Sequence, residues 1–380
     1  MRAVSIVGIG QIPMQKQNEL SLRQMGATAV NLAMEHAGID KVDALFAGNM
    51  LGDELQGQKH IATLIADEAG LTGIEALQVR AATATGAAAL RMAYLAVASG
   101  EADLAIAMGV EKMSTGQATP ALAKALDAEK EVAVGANLIS KNAELMQLYI
   151  EKYQMPPDGL VNFAVNAHNN AIANENALFR KPITAETVTQ SRLVYPPIRL
   201  LDCSPICDGA AAVVLAPTDE ARAFTSTPIH ILASSVATDH FRIEDRKDPL
   251  MLAGARLSAL RAARRANINR SDVSFFEVHD AFSIMACLLL ESTGYARRGE
   301  GWRLAAEGRI GLTGEIPIAT MGGLKARGHP IGATALYQTC EIVLQLTEKA
   351  GANQIANPKI GLLQSVGGAA STVLTHIFGN

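Results

Sequence analysis

Short apolar runs rich in β-branched residues alternate along the chain with longer alanine-rich stretches that do not follow a period of two. The spacing predicts strands over 5–8, 44–47, 104–108 and 213–215, separated by segments long enough for crossover helices. Such alternation reads as an α/β protein with layered sheets. One helix stands apart. Residues 84–98 are apolar nearly all round, so this helix is expected to be covered on most of its faces. Between about 114 and 200 the pattern loosens and Asn, Gln and Lys accumulate, as in His168-Asn169-Asn170 and Asn174-Glu175-Asn176, which marks an inserted loop domain rather than more sheet.

A weak internal repeat points to duplication. Residues 208–215 match residues 367–374 at five of eight positions, with a shared Gly-Ala-Ala and a shared Val-Leu. Both copies would close one half of the molecule, so the chain divides into an N-terminal half over 1–220, carrying the insertion, and a C-terminal half over 221–380. A chain of 380 residues suits that division.

Composition narrows the classes of function. Apolar residues make up 49% and charged ones 18%, which excludes a disordered chain and favours a large buried core. The net charge of −4, with both signs interspersed, gives no field for nucleic acid or an anionic membrane as main partner. No apolar run approaches the about 20 residues that span a bilayer. Met1 to Gly8 leads straight into a strand without the features of a signal peptide, so a cytoplasmic protein is expected. The four cysteines, Cys203, Cys207, Cys287 and Cys340, are too scattered for a disulfide framework. Cys203 and Cys207 have a spacing within reach of zinc, but no second Cys or His pair completes a tetrahedral set, so no metal is expected. Cys287 and Cys340, in predicted helices among apolar neighbours, read as packing residues.

Five segments carry chemistry. They are the helix-leading Val79-Arg80-Ala81-Ala82-Thr83-Ala84-Thr85-Gly86, Gly109-Val110-Glu111-Lys112-Met113-Ser114, Val278-His279-Asp280-Ala281-Phe282, Gly328-His329-Pro330-Ile331-Gly332-Ala333 and the glycine loop Gln364-Ser365-Val366-Gly367-Gly368. Taken in this order, with Cys207-Asp208-Gly209-Ala210-Ala211-Ala212 closing the first half, they resemble the thiolase superfamily from end to end, and most closely its sterol-carrier-protein type and archaeal acetyl-CoA acetyltransferase branch. The resemblance implies a thiolase fold: two similar βαβαβαββ halves in a layered α-β-α-β-α core. It further implies a coenzyme A thioester as substrate, no permanently bound cofactor, a homodimer, and, as in several relatives, a small OB-fold, zinc-ribbon partner protein.

Thiolase chemistry joins or splits a carbon–carbon bond beside a thioester and passes through an enolate and an oxyanion, so donors must be held where that charge develops. In relatives one cysteine takes the acyl group, a Gly-His-Pro histidine activates it, a His-Asp-x-Phe histidine binds the thioester oxygen, and a second cysteine moves the α-proton. Carried over, His329 and His279 match the two histidines. The nucleophile position holds Thr83, and the alternative positions of the second cysteine hold Ala281 and Ser365. An aliphatic hydroxyl is essentially never ionised at neutral pH and must lose its proton during attack, unlike a thiol. Thr83 is therefore expected to line the acyl pocket, and Ser365 to help move a proton. Either Thr83 or Thr85 equally fits a helix N-cap, and Ser365 equally fits a plain loop residue.

Three functions follow from this set. The first is a CoA-dependent acyltransferase of thiolase type. The second is a retro-aldolase on a β-hydroxyacyl-CoA, which needs a base and an enolate-stabilising site but no acyl-enzyme, although such relatives carry tyrosines at the two histidine motifs. The third is a non-catalytic CoA-binding scaffold. Arginines over 256–265 fit either a phosphate site or a solvated helix face, and Met113 with Arg180-Lys181-Pro182 resembles the loop region over which thiolases lay the pantetheine arm.

Overall fold

The computed structural model describes residues 1–380. Nine strands form one mixed sheet: β1 (Val4–Gln11), β2 (Ala44–Gly48), β3 (Glu75–Val79), β4 (Ala105–Lys112), β5 (Asp208–Pro217), β6 (Ile229–Thr238), β7 (Phe275–Glu277), β8 (Ile360–Gly367) and β9 (Thr372–Gly379). Their order is β3-β2-β4-β5-β1-β6-β9-β8-β7. The four strands expected from the apolar pattern are β1, β2, β4 and β5.

The order is one pattern used twice. In the first half β2 lies parallel between β3 and β4, and β4, β5 and β1 follow antiparallel. In the second, β7 and β8 are parallel, β9 and β6 follow antiparallel, and Ile318 bridges in parallel to Phe276 where a fifth strand would lie. The halves meet through the antiparallel pairing of Ser5 with His230 and Ile6 with Ile229. The eight-residue repeat falls on the closing strand of each half but not on identical structure. Its first copy lies within β5, whereas the second runs from the end of β8 through the turn into β9, so of the five matching positions only Val214-Leu215 and Val373-Leu374 are extended in both.

The main helices are α1 (Leu22–Ala37), α2 (Thr85–Ser99), α3 (Leu138–Tyr153), α4 (Val161–Ala171), α5 (Ala253–Ala266), α6 (Ser283–Ser292) and α7 (Thr334–Leu346). α1 packs outside the first half and α5 outside the second, while α2 and α7 pack on each other and on strands of both halves. This is the α-β-α-β-α layering. α7, between the halves, buries twelve of its thirteen residues, whereas the alanine-rich α2 buries eight of its fifteen and leaves Met92 exposed. Leu90, Val97, Leu336 and Ile342 from these helices share one apolar cluster with Phe46, Leu215 and Phe378 from the strands. The region 114–200 holds α3, α4, shorter helices and a two-stranded hairpin of Leu193–Tyr195 with Ile198–Arg199, none of it in the main sheet. No helix is long and apolar enough to cross a membrane.

Candidate active site

A cavity of about 600 Å³ opens where the insertion meets the C-terminal ends of the core, and Thr83, His279, Ala281 and His329 all lie in its wall. Sequence positions spread over some 250 residues therefore converge on one space. The convergence has local causes in each segment.

The loop carrying His329 is pinned by close backbone approaches. A Cβ on Gly109 would sit 2.2 Å from the Gly332 carbonyl oxygen, and one on Gly86 would sit 2.8 Å from it, so β4 and α2 can approach this loop only as glycine. The buried Glu111 carboxylate then ties three segments together, accepting from Asn49 Nδ2 and the Leu51 amide through one oxygen and from the Met50 and Gly332 amides through the other. Burial pushes Glu111 up to about 7 against the pull of these amides. Gly328 has φ 122°, a conformation that disfavours any side chain, and a Cβ there would meet Met14 Sδ at 2.6 Å.

His279 is held from the other side. Its neighbour Asp280 is buried and accepts from the Leu324 amide at 2.7 Å, while a Cβ on Gly323 would collide with the same carboxylate at 2.5 Å. The His-Asp pair thus shapes the turn that leads to His329. Beneath this turn lies the buried ion pair of Arg327 with Glu341, 2.6 Å apart, with the guanidinium 5.5 Å from the Tyr337 ring centroid.

The two imidazoles meet edge to face, with centroids 5.2 Å apart and planes at 86°. His279 is 3% exposed and His329 6% exposed. His329 Nδ1 shares a 2.7 Å hydrogen bond with the Thr334 hydroxyl, whereas His279 Nδ1 has no partner. Burial lowers the pKa of both, and the nearby Arg327 lowers it further: His279 falls to about 3, and His329 falls well below its ordinary value with His279 also contributing. Both rings are neutral at physiological pH, each able to present one N–H and one lone pair.

Thr83 is 5% exposed, and its hydroxyl donates to the Val366 carbonyl at 2.6 Å. It does not cap α2. The N-cap position is Ala84, which has no side-chain cap, and the Thr85 hydroxyl accepts from the Ala81 amide and donates to the Ala82 carbonyl. The expectation of a threonine N-cap is corrected accordingly: Ala82 takes a positive φ of 48° and turns the chain so that both hydroxyls face preceding or distant backbone instead of the first helical amides.

Ser365 also departs from expectation. It belongs to β8 rather than to a glycine loop, is fully buried with an unpartnered hydroxyl, and is absent from the cavity wall. Successive strand residues face opposite ways, and here Val366 takes the cavity side. Cys207, Cys287 and Cys340 are buried, but Cys203 is only partly so and lines the cavity. Nothing in its sequence neighbourhood separates it from Cys207. The arginines of α5 lie outside the cavity wall, and of the basic residues only Lys16 and Arg192 line it.

Comparison with known proteins agrees with the architecture and extends it. Residues 4–219 match the family described as thiolase, N-terminal domain, and residues 235–380 match thiolase C-terminal domain-like. An acetyl-CoA acetyltransferase of Methanothermobacter thermautotrophicus is 41% identical over the whole of both chains, and one of Methanocaldococcus jannaschii is 38% identical over 99% of both. Sterol carrier protein 2 of Gallus gallus is 28% identical over 98% of this chain and 71% of its own length. Among solved structures, an Ltp2-ChsH2(DUF35) aldolase superposes with TM-score 0.86 at 23% identity, covering 99% of this chain and 97% of its own. An acetyl-CoA acetyltransferase from Syntrophomonas wolfei gives 0.78 at 18% identity, covering 100% and 99%. Two domain matches that fill both halves, together with relatives alike along their entire length, make this chain a member of the thiolase family.

Proposed function

We propose that the protein makes or breaks the carbon–carbon bond beside the carbonyl of an acyl-CoA thioester, without carrying the acyl group on Thr83. The observation that carries this reading is the pair of neutral, buried histidines facing one cavity with Thr83. A neutral imidazole N–H polarises a carbonyl without a charge to be desolvated, and it is already in place when negative charge builds on the oxygen. His279, with nothing on Nδ1, can place its Nε2–H on the thioester oxygen. His329, in the tautomer whose Nδ1–H donates to Thr334, offers a lone pair to receive a proton.

Thr83 lacks what a nucleophile needs. Its proton points at the Val366 carbonyl, which is not a base that can take it, and its β-methyl group restricts the rotamers open to it. The acyltransferase relatives support acyl-CoA as the substrate class. The geometry around Thr83 favours a non-covalent variant of that chemistry, and the retro-aldol cleavage of a β-hydroxyacyl-CoA meets the requirement because it forms no acyl-enzyme. The likeness to an aldolase of the same fold supports this second reading.

Titration calorimetry with acetyl-CoA, and turnover assays on a panel of β-ketoacyl- and β-hydroxyacyl-CoA thioesters, test the proposal. Binding and carbon–carbon bond turnover with no acyl group on Thr83 by peptide mass analysis is the expected result. Failure to bind any acyl-CoA overturns it.

The same reading includes a homodimer. β3 ends the sheet with Glu75 and Leu77 exposed, whereas β7 at the opposite end is fully buried. An open edge with an exposed leucine is a template for strand pairing between copies. Sedimentation of a Leu77→Lys variant is expected to show a lighter species than the parent. A small OB-fold, zinc-ribbon partner remains part of the proposal, and co-purification tests it.

A further inference from the structure

Cys203 stands beside the histidine segment of the cavity although it comes from the connection between the insertion and β5. It bridges to Phe282, and the following amide, Ser204 N–H, donates to the Ala281 carbonyl at 2.8 Å. This contact lays the thiol-bearing segment along the wall formed by Ala281, whose methyl group leaves that part of the cavity without chemistry of its own. Cys203 is the one cysteine of the four that is not fully enclosed. Its thiol donates a weak hydrogen bond to the Arg199 carbonyl at 3.6 Å, which rotation about the Cα–Cβ bond exchanges for a ligand in the cavity. A second observation marks the place as a ligand site: His279 and His329, each more than nine-tenths buried, line the same cavity, and neither Nε2 has a protein partner.

We propose that Cys203 is the proton donor to the α-carbon of the acyl-CoA when its carbon–carbon bond breaks, an assignment that rests on the acyl-CoA reading above. In the cleavage of a β-hydroxyacyl-CoA, His329 Nε2 takes the hydroxyl proton as the Cα–Cβ bond breaks. The electrons of that bond pass to the thioester as an enolate held by His279, and a carbonyl product departs. The enolate carbon then takes the proton from Cys203 Sγ, and the thiolate regains one from the protonated His329. Substrate splits into a carbonyl compound and a shorter acyl-CoA with no oxidant, reductant or co-reactant.

The surroundings suit an acid better than a preformed nucleophile. Burial pushes the Cys203 thiol up to about 11, so it is protonated at neutral pH. The buried Lys325, which donates to the Asp202 carbonyl one residue away, favours the thiolate left after transfer, while the Asp202 carboxylate acts against it.

The test is α-hydrogen exchange of acetyl-CoA in deuterated buffer, read by mass spectrometry, with calorimetric binding measured in parallel on the full chain. Wild type is expected to bind and exchange. Cys203→Ala and the conservative Cys203→Ser are expected to bind within about two-fold and to exchange about 100-fold more slowly or less, the size of a lost general acid–base group. Equal exchange in wild type and both variants would reduce Cys203 to a wall residue while leaving the acyl-CoA reading intact. Binding without exchange in wild type overturns the assignment in the same way, as does a stable acetyl adduct on Cys203, which would make it an acyl carrier. If wild type binds no acyl-CoA, both readings fall.

Discussion

The Thr83 hydroxyl donates to the carbonyl of Val366 at 2.6 Å, joining the segment that leads into the central helix α2 to the end of strand β8 across the two halves of the molecule. Val366 is 1% exposed, so this bond is formed away from water. Replacement Thr83→Val keeps the β-branched shape and removes the donor. The expected result is a loss of about 1 kcal/mol in stability, because a buried acceptor loses one partner, seen as a lower denaturation midpoint. A fall in turnover of about a million-fold, the scale of a lost nucleophile, would show instead that the hydroxyl attacks.

The paired histidines are expected to act as a unit. His279→Asn and His329→Asn should each lower kcat/KM by about 100- to 1,000-fold, the range for removal of an oxyanion donor in the first case and within that for a general base in the second. The double variant should lose much less than the product of the two, because both act on one reacting centre. Steady-state kinetics on the four proteins checks this. Since burial holds both rings neutral, the profile of kcat/KM should show no histidine limb between pH 6 and 8.

Much of this site was legible in the sequence because its motifs are backbone requirements. Gly109, Gly86 and Gly332 crowd around one carbonyl, and Gly328 needs a positive φ, so the glycines report geometry directly. The buried character of α2 followed from its composition for a similar reason. Ser365 was misplaced because a motif locates a segment, whereas which face a side chain takes depends on strand phase, and Val366 won the cavity side. Cys203 stayed invisible because its position follows from a tertiary bridge to Phe282, a contact between segments that no local pattern encodes. The threonine caps failed on one unusual backbone angle at Ala82.

Arg327 and Glu341 form a fully enclosed ion pair under the histidine loop, with side chains 0% and 1% exposed. Burial pushes the Glu341 carboxyl above the usual carboxylate range, and the guanidinium beside it pulls it back toward the charged form. Arg327→Met leaves that carboxyl without its partner and is expected to cost about 3–5 kcal/mol. The double variant Arg327→Met with Glu341→Met should recover most of the loss, because two apolar side chains of similar length fill the space without desolvating charge. Denaturant melts of the single and double variants decide it. A double variant no more stable than Arg327→Met alone would show that the guanidinium stabilises the fold through Tyr337 packing rather than through its counter-charge.

His376 offers a clean measure of how the buried core responds to acid, since it lies away from the cavity on β9. It is fully buried, with Nε2 3.2 Å from the Ala87 carbonyl, and burial lowers it to about 3, with the Arg91 charge acting in the same direction. In the unfolded chain it titrates near 6.5, so at pH values between about 3 and 6.5 the unfolded state binds more protons than the folded one. The stability tied to the neutral ring is therefore complete above about 6.5 and drains away as pH falls toward 3, at up to about 1.4 kcal/mol per pH unit. Glu111 and Glu341 act with the opposite sign, because burial raises both, favours the protonated form in the folded state and costs stability as pH rises, toward about 7 for Glu111. The wild-type profile mixes both trends, and only a difference isolates one of them. His376→Gln can still donate to the Ala87 carbonyl and cannot titrate, so the gap between variant and wild type should change by about 1–2 kcal/mol between pH 6.5 and 5, in favour of the variant at low pH. Denaturant melts at the two pH values measure that gap, and an unchanged gap would mean that His376 takes up its proton over the same pH range in the folded and unfolded states.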